Sequence, residues 1–450
     1  MTLRRREFLT GIAGAGLLAG CTQGSATRTQ GTGVTMWSSF PSDAFRRYFE
    51  KNFLTAYNRH APPGGKVTTT VKDSSTLERL QQTAIASGTG PTLIFTSGPS
   101  YALQYANAGK LAPLDAYADR YGWSAKVLPW AFDAGKVGGK LYSLPNSYEA
   151  MVTFYDRKTF DEYGWKPPTN REEFEDLCSD AAGRGLTPVS TGSADWPATT
   201  EWHVTVFLNH AAGPEAVYQA LTGKLKWTDP VFVDAISLMY KYFQRGWFGG
   251  GVDRYFTNRT DAYYAALAGG KAAMTIVGTW AFSDLPPYFE KAPKEWDWAP
   301  LPSFSDHVPD AVYALGSGGT LSVNSDSKHA DQAAAYLNWL YSDPGRQAKA
   351  VADVNMEPYP VHLSAADFPH NVDPRVQRFY VDVARSGHLG YTTWTFWPPR
   401  SDTYIYKKMD AVLTGKLSPA DYCQGLDDIF SEERGLDRVP PAFRPAGAGS

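Results

Sequence analysis

Three cysteines in 450 residues are too few for a disulfide scaffold. No stretch reaches the ~18 uninterrupted apolar residues that span a bilayer. A charge excess is also missing: the formal net charge is −3, with 20% charged residues, so no polyanion partner such as nucleic acid is implied. There is no Gly-x-Ser-x-Gly elbow and no His-Glu-x-x-His pair, and no repeat at solenoid or propeller periods. His203 and His210 do not have the i, i+4 spacing of a local zinc pair, so both read as core or surface histidines. Glu149, Glu201, Asp195 and Asp253 are carboxylates of the kind a glycosidase needs, but no spacing singles out a pair. No catalytic residue, metal or cofactor is expected.

Aromatic residues, by contrast, are plentiful: 14 Trp, 26 Tyr and 23 Phe. Most must be core, but flat rings also bind flat apolar ligand faces. The N-terminus reads as an address. Arg4, Arg5 and Arg6 precede an apolar run over 8–20, then Cys21. That layout is an export signal over 1–20. Arg5-Arg6-Glu7-Phe8-Leu9 resembles the twin-arginine export motif, and Leu18-Ala19-Gly20-Cys21 resembles the bacterial lipobox. Cys21 is then the lipid attachment site, and residues 21–33 are a flexible Gly/Ser/Thr tether. The expected location is the extracytoplasmic face of the cell membrane, held by that lipid alone. Cys178 and Cys423 either pair in an oxidising compartment or are two buried free thiols.

Past the tether, strand-like and helical patterns alternate. "VTMWSSF" reads as a strand, and "SDAFRRYFEKNFLTAYNRH" as a helix capped by Ser42 or Asp43. "GGKVTTTVKDS" and "PTLIFTSG" are further strands, separated by the helix "STLERLQQTAIASG". Alternation of this kind argues for parallel sheets in an α/β fold. The segments "ASGTGPTLIF", "GGKLYSLPNSYEAMVTFYDRKTFDEYGWKPPTNREEFEDLC", "DAYYAALAGGKAAMTIVGTWAFSDL", "WDWAPLPSF" and "GGTLSVNSDSKHADQAAAYLNWLYSD" follow in that order. Together they resemble the extracellular solute-binding proteins of ABC importers, in the maltose-binding-protein-like group. Thr92 departs from the pattern, because many relatives carry an acidic residue after that proline.

The resemblance implies two discontinuous α/β lobes of the periplasmic-binding-protein type II kind, joined by crossover hinge strands around a ligand cleft. Lobe one is expected at 34–147 and 303–325, and lobe two at 148–302 and 326–430. Hinges are expected at 145–149, 300–304 and 321–325, and a disordered tail at 431–450. The implied partners are a small carbohydrate and the permease subunits of an ABC transporter, with the receptor a monomer. Trp280 corresponds to the family's sugar-stacking tryptophan, with Gly278 giving it clearance. Glu149 corresponds to a ligand-binding carboxylate, and Trp202 to a second stacking aromatic. Trp37, Ser38 and Ser39 end the first strand at the same crevice. Ser97, Gly318, Trp394, Trp397 and Arg400 are similar in placement only. Trp, Ser and Gly with one Glu favour an uncharged sugar or oligosaccharide. A non-sugar solute such as a peptide, polyamine or phosphodiester, a secreted carbohydrate-active enzyme, and a sensor or adhesion lipoprotein are the alternatives.

Overall fold

A computed structural model describes residues 33–444, apart from 41, 197 and 291–294. The export signal, Cys21 and the tether up to residue 32 lie outside the described residues, as do residues 445–450. Strands run at Val34–Ser38 (β1), Val67–Val71 (β2), Leu93–Thr96 (β3), Lys136–Val137 (β4), Lys140–Leu141 (β5), Ser143–Pro145 (β6) and Glu149–Asp156 (β7). Thr187–Val189 (β8), Ala272–Gly278 (β9), Trp296–Ala299 (β10), Tyr313–Gly316 (β11), Thr320–Val323 (β12) and Leu389–Tyr391 (β13) follow. They form a five-stranded sheet ordered β2-β1-β3-β12-β6 and a six-stranded sheet in which β13-β11-β7-β9-β8 are neighbours and β10 also pairs with β7.

The helix-separated strands β1, β2 and β3 are parallel, as the alternation requires, since a parallel neighbour needs a crossover. The first crossover starts at Ser42, whose side chain accepts from the Phe45 N–H at 3.1 Å. Its helix Asp43–Phe49 widens over Glu50–Thr55 and closes at Ala56–Asn58. β12 and β6 join the same sheet antiparallel. In the second sheet β7 and β9 are buried on both faces along almost their whole length, as central strands between helix layers are.

Two segments carry the chain between sheets near the cleft. Residues 146–148 link β6 to β7, and 317–319 link β11 to β12. They are tied together, because the Gly318 N–H donates to Ser147 Oγ at 3.1 Å and Asn146 N–H to the Gly319 carbonyl at 2.9 Å.

Several boundaries differ from expectation. β11 lies in the second sheet, and Phe304 stacks on Phe207 at 5.2 Å there, so residues 303–316 belong with the second half. The crossings expected at 300–304 and 321–325 are replaced by the one at 317–319 and by the return from helix Pro344–Val354 to β13. Helices Ala330–Tyr341 and Pro344–Val354, expected in lobe two, sit on the first: Tyr336 and Trp339 pack on Tyr57 at 4.8 and 5.7 Å. The tail is not loose at 431. A helix runs Pro419–Gly435, and Phe443 packs on Tyr391 at 4.7 Å and on Trp130 at 6.4 Å. Burial of apolar rings orders this segment where its Pro/Gly content argues for disorder. Cys178 and Cys423 are both buried free thiols, and burial holds the Cys423 thiol up at about 12. Among the described residues no helix is long and apolar enough to cross a membrane.

Candidate functional site

A cavity of about 880 Å³ opens between the sheets. Its wall on the side of β1 holds Trp37, Ser38, Ser39, Phe40 and Phe45, and the facing wall holds Glu149, Trp280, Ser283 and Asp284. Asn146 and Ser147 of the first crossing line it, with Asn355, Met356, Glu357 and Tyr359.

Trp280 owes its place to the end of β9. Gly278 pairs with Met151 across the sheet, and the next residue is tied to β7 by the Thr279 N–H on the Ala150 carbonyl at 3.1 Å. The chain then turns into the short helix Ala281–Asp284, and the ring of Trp280 folds back over Gly278. A Cβ on Gly278 would lie 1.9 Å from that ring, so only glycine lets the indole lie there. Trp280 remains half-buried, with Trp202 at 4.9 Å and Trp394 at 6.2 Å, so three indoles meet here.

Glu149 opens β7 opposite Gly316 and is 5% exposed. Its Oε1 accepts from the Trp394 indole N–H at 3.0 Å. Ser38 is buried, with its Oγ accepting from Thr69 Oγ1 at 3.0 Å, while Trp37 lies under Lys72 Nζ at 4.9 Å. Gly318 is exposed beside Ser147, and a Cβ there would lie 3.8 Å from Glu149 Oε2 and 3.7 Å from Glu357 Oε2. Ser97 is exposed at the end of β3, next to Gly98, whose Cα faces the Trp394 carbonyl.

Of the expected ligand-binding residues, Trp280, Glu149, Trp37, Ser38 and Ser39 line the cavity, whereas Trp202, Trp394, Gly278, Gly318 and Ser97 stand beside or behind its lining, and Trp397 and Arg400 lie elsewhere. Trp397 is fully buried and packs on Trp227 at 5.2 Å, inside the second half. The helix Thr393–Phe396 ends just before it, so Trp394 packs on Trp280 and donates to Glu149 while Trp397 turns into the core. Arg400 is bound to Glu432 at 2.7 Å, a surface ion pair. Of the other carboxylates, Glu201 faces Asp402 and Asp195 pairs with Arg259 at 3.0 Å; neither lines the cavity. His203 and His210 are fully buried, and desolvation pushes them down to about 3 and about 4. Among the described residues no group of three or more His, Cys, Asp or Glu could hold a metal.

Sequence reasoning did not reach Glu357 or Asp284. Glu357 follows helix Pro344–Val354, whose cap Asn355 is left-handed. Its loop is pinned on both sides, by the Met356 N–H on the Ala350 carbonyl at 3.3 Å and the Tyr359 N–H on Gln347 Oε1 at 3.2 Å. Burial raises the carboxyl of Glu149, and burial and then the neighbouring Glu149 raise that of Glu357. Burial also raises Asp284, which accepts from its neighbour Ser283 Oγ at 2.7 Å. Asp284 was findable: it follows Trp280 by one helical turn.

The family model of bacterial extracellular solute-binding proteins matches residues 42–347. A probable sugar-binding periplasmic protein of Brucella suis is 25% identical over 200 residues, 44% of this chain and 45% of that protein. The chain therefore spans under half the length of such curated relatives. Among solved structures, a chitin oligosaccharide binding protein superposes with TM-score 0.74 at 19% identity, over 90% of this chain and 100% of that one. A cyclic alpha-maltosyl-1,6-maltose binding protein of Arthrobacter globiformis gives 0.69 at 19% identity, over 89% and 98%. Both share the fold: two α/β lobes of the type II periplasmic-binding kind.

Proposed function

The chain belongs to the bacterial extracellular solute-binding proteins, and from that premise we propose that it is a receptor for a sugar or oligosaccharide. The observation that carries the reading is Trp280, a half-exposed indole held over Gly278 at the wall of an 880 Å³ cavity. An indole covering ~50 Å² of a pyranose C–H face contributes about 1–2 kcal/mol. Glu149, Asn146, Ser147 and the serines that end β1 supply hydroxyl partners around it. The names of the relatives, a sugar-binding periplasmic protein and two oligosaccharide binders, support the same reading.

The two halves close on the ligand about the segments 146–148 and 317–319, and the closed monomer docks on an ABC permease that takes the sugar in unchanged. Twin-arginine export and a lipid on Cys21 hold the receptor at the outer face of the membrane. A thermal-shift panel of mono-, di- and trisaccharides tests the receptor. A true ligand at about 1,000 times Kd stabilises the fold by ~4 kcal/mol, and a flat response to every saccharide contradicts the reading. For the anchor, labelled palmitate enters the wild type and not Cys21→Ser; label in both would refute it.

A further inference from the structure

Glu149, Asp284 and Glu357 all line the same cavity, and among the described residues no Lys, Arg or His lines it. Among the described ion pairs none involves these three acids, whereas Asp353 at the same cavity is neutralised by Lys349 at 2.6 Å. Lys72, which is not among the lining residues, sits over the Trp37 ring. The hydrogen bonds to the three acids come from uncharged groups: Trp394 to Glu149, Ser147 to Glu357 and Ser283 to Asp284. Glu149 and Glu357 are neighbours at the cavity, since a Cβ on Gly318 would lie 3.8 Å from Glu149 Oε2 and 3.7 Å from Glu357 Oε2, and burial and then the Glu149 carboxyl raise that of Glu357. One oxygen of Glu357, Oε1, is wholly buried with no hydrogen-bond partner.

An uncharged polyol gives such a site too little. It supplies neutral donors where the cavity already has them, and it leaves buried acids without a counter-charge, which is costly. An ammonium supplies three charged donors at one point and bonds each carboxylate more strongly than a hydroxyl does. Building on the sugar-receptor reading above, we propose that the saccharide taken by this cavity carries a protonated amine, seated between Glu149 and Glu357, with its ring face on Trp280.

The step balances in protons. On this proposal the free pair holds one proton between its two carboxyls. The arriving ammonium replaces the shared proton, leaving two carboxylates on one cation and one proton released to solvent. The charged and titratable groups facing the pair are Asp284, which raises Glu357 further, and Tyr380, which both acids raise.

The test is titration calorimetry on the purified protein at about pH 5.5, where even an amine weakened by neighbouring oxygens, as in a hexosamine, is protonated. The probes are glucosamine oligomers of two to four rings, their N-acetylated counterparts, glucose oligomers of the same lengths, and spermidine. Two buffers of different ionisation enthalpy measure proton release. The expected result is a glucosamine oligomer binding at least tenfold tighter than its acetylated form, with proton release. Glu357→Gln should abolish that preference, and Glu149→Gln serves if the first variant does not fold. Neutral or acetylated oligomers binding as well or better overturn the amine and leave the sugar receptor standing. Absence of binding by every amine-bearing saccharide also overturns it. Spermidine binding with no saccharide binding overturns both readings.

Discussion

At the scale of single residues, the two fully buried histidines give a pH signature. In the unfolded chain His203 and His210 protonate near pH 6.5; in the fold they stay neutral down to about 3 and about 4. Between those values the unfolded state binds protons that the native state does not. Stability is therefore present above pH 6.5 and is lost as pH falls, by up to about 1.4 kcal/mol per unit and per histidine. The raised carboxyls of Glu149, Asp284 and Glu357 act with the opposite sign, since their burial favours the protonated form. A comparison with His203→Gln isolates one histidine, because glutamine can still reach the Thr191 hydroxyl that lies 2.9 Å from His203 Nε2. Urea unfolding should show the wild type's advantage over this variant shrinking by about 1 kcal/mol per pH unit from 6.5 to 4.5. A difference constant with pH would contradict the assignment.

At the scale of elements, the last packed segment is the most informative. Phe443 lies against Tyr391, Phe396 and Trp130, and its carbonyl accepts from the Tyr391 hydroxyl. Trp130 belongs to the helix packed under β6, while Tyr391 ends β13, so one ring near the chain's end joins both halves. Phe443→Ala should cost about 3 kcal/mol in chemical unfolding, where a loose tail would cost under about 0.5. Nothing in "RVPPAFRPAGAGS" signals this, because one Phe among Pro and Gly has no period to read. The elements with a period were legible. β1, β2 and β3 and the helices between them lie within a few residues of expectation. Trp280, Glu149 and Trp37, each at or next to the end of a strand, were legible as residues that line the cavity. Trp397 and Arg400 were misplaced because a Trp-rich stretch carries no sign of which ring faces inward. Glu357 was invisible for a different reason: a loop carries it to Glu149 from far along the chain, and only the tertiary fold brings them together.

At the scale of the whole molecule, two sheets meet over a cavity whose walls come from both, with Gly318 and Ser147 tying the two crossings that flank it. Such a layout suits a receptor, since closing it excludes water from the ligand and strengthens every polar contact inside. The distribution of groups is uneven. Aromatic rings stand on both walls, whereas the uncompensated acids cluster around the first residue of β7. A bound saccharide would then be held by ring faces along its length and fixed in orientation at one end. The measurement that bears most directly on the account is calorimetric titration of wild type and Trp280→Ala with the tightest-binding saccharide of the thermal panel. The account predicts at least tenfold weaker binding in the variant, a variant that still folds cooperatively without ligand, and sugar recovered intact. Equal affinity in the two proteins, or recovery of a cleaved sugar, would contradict it.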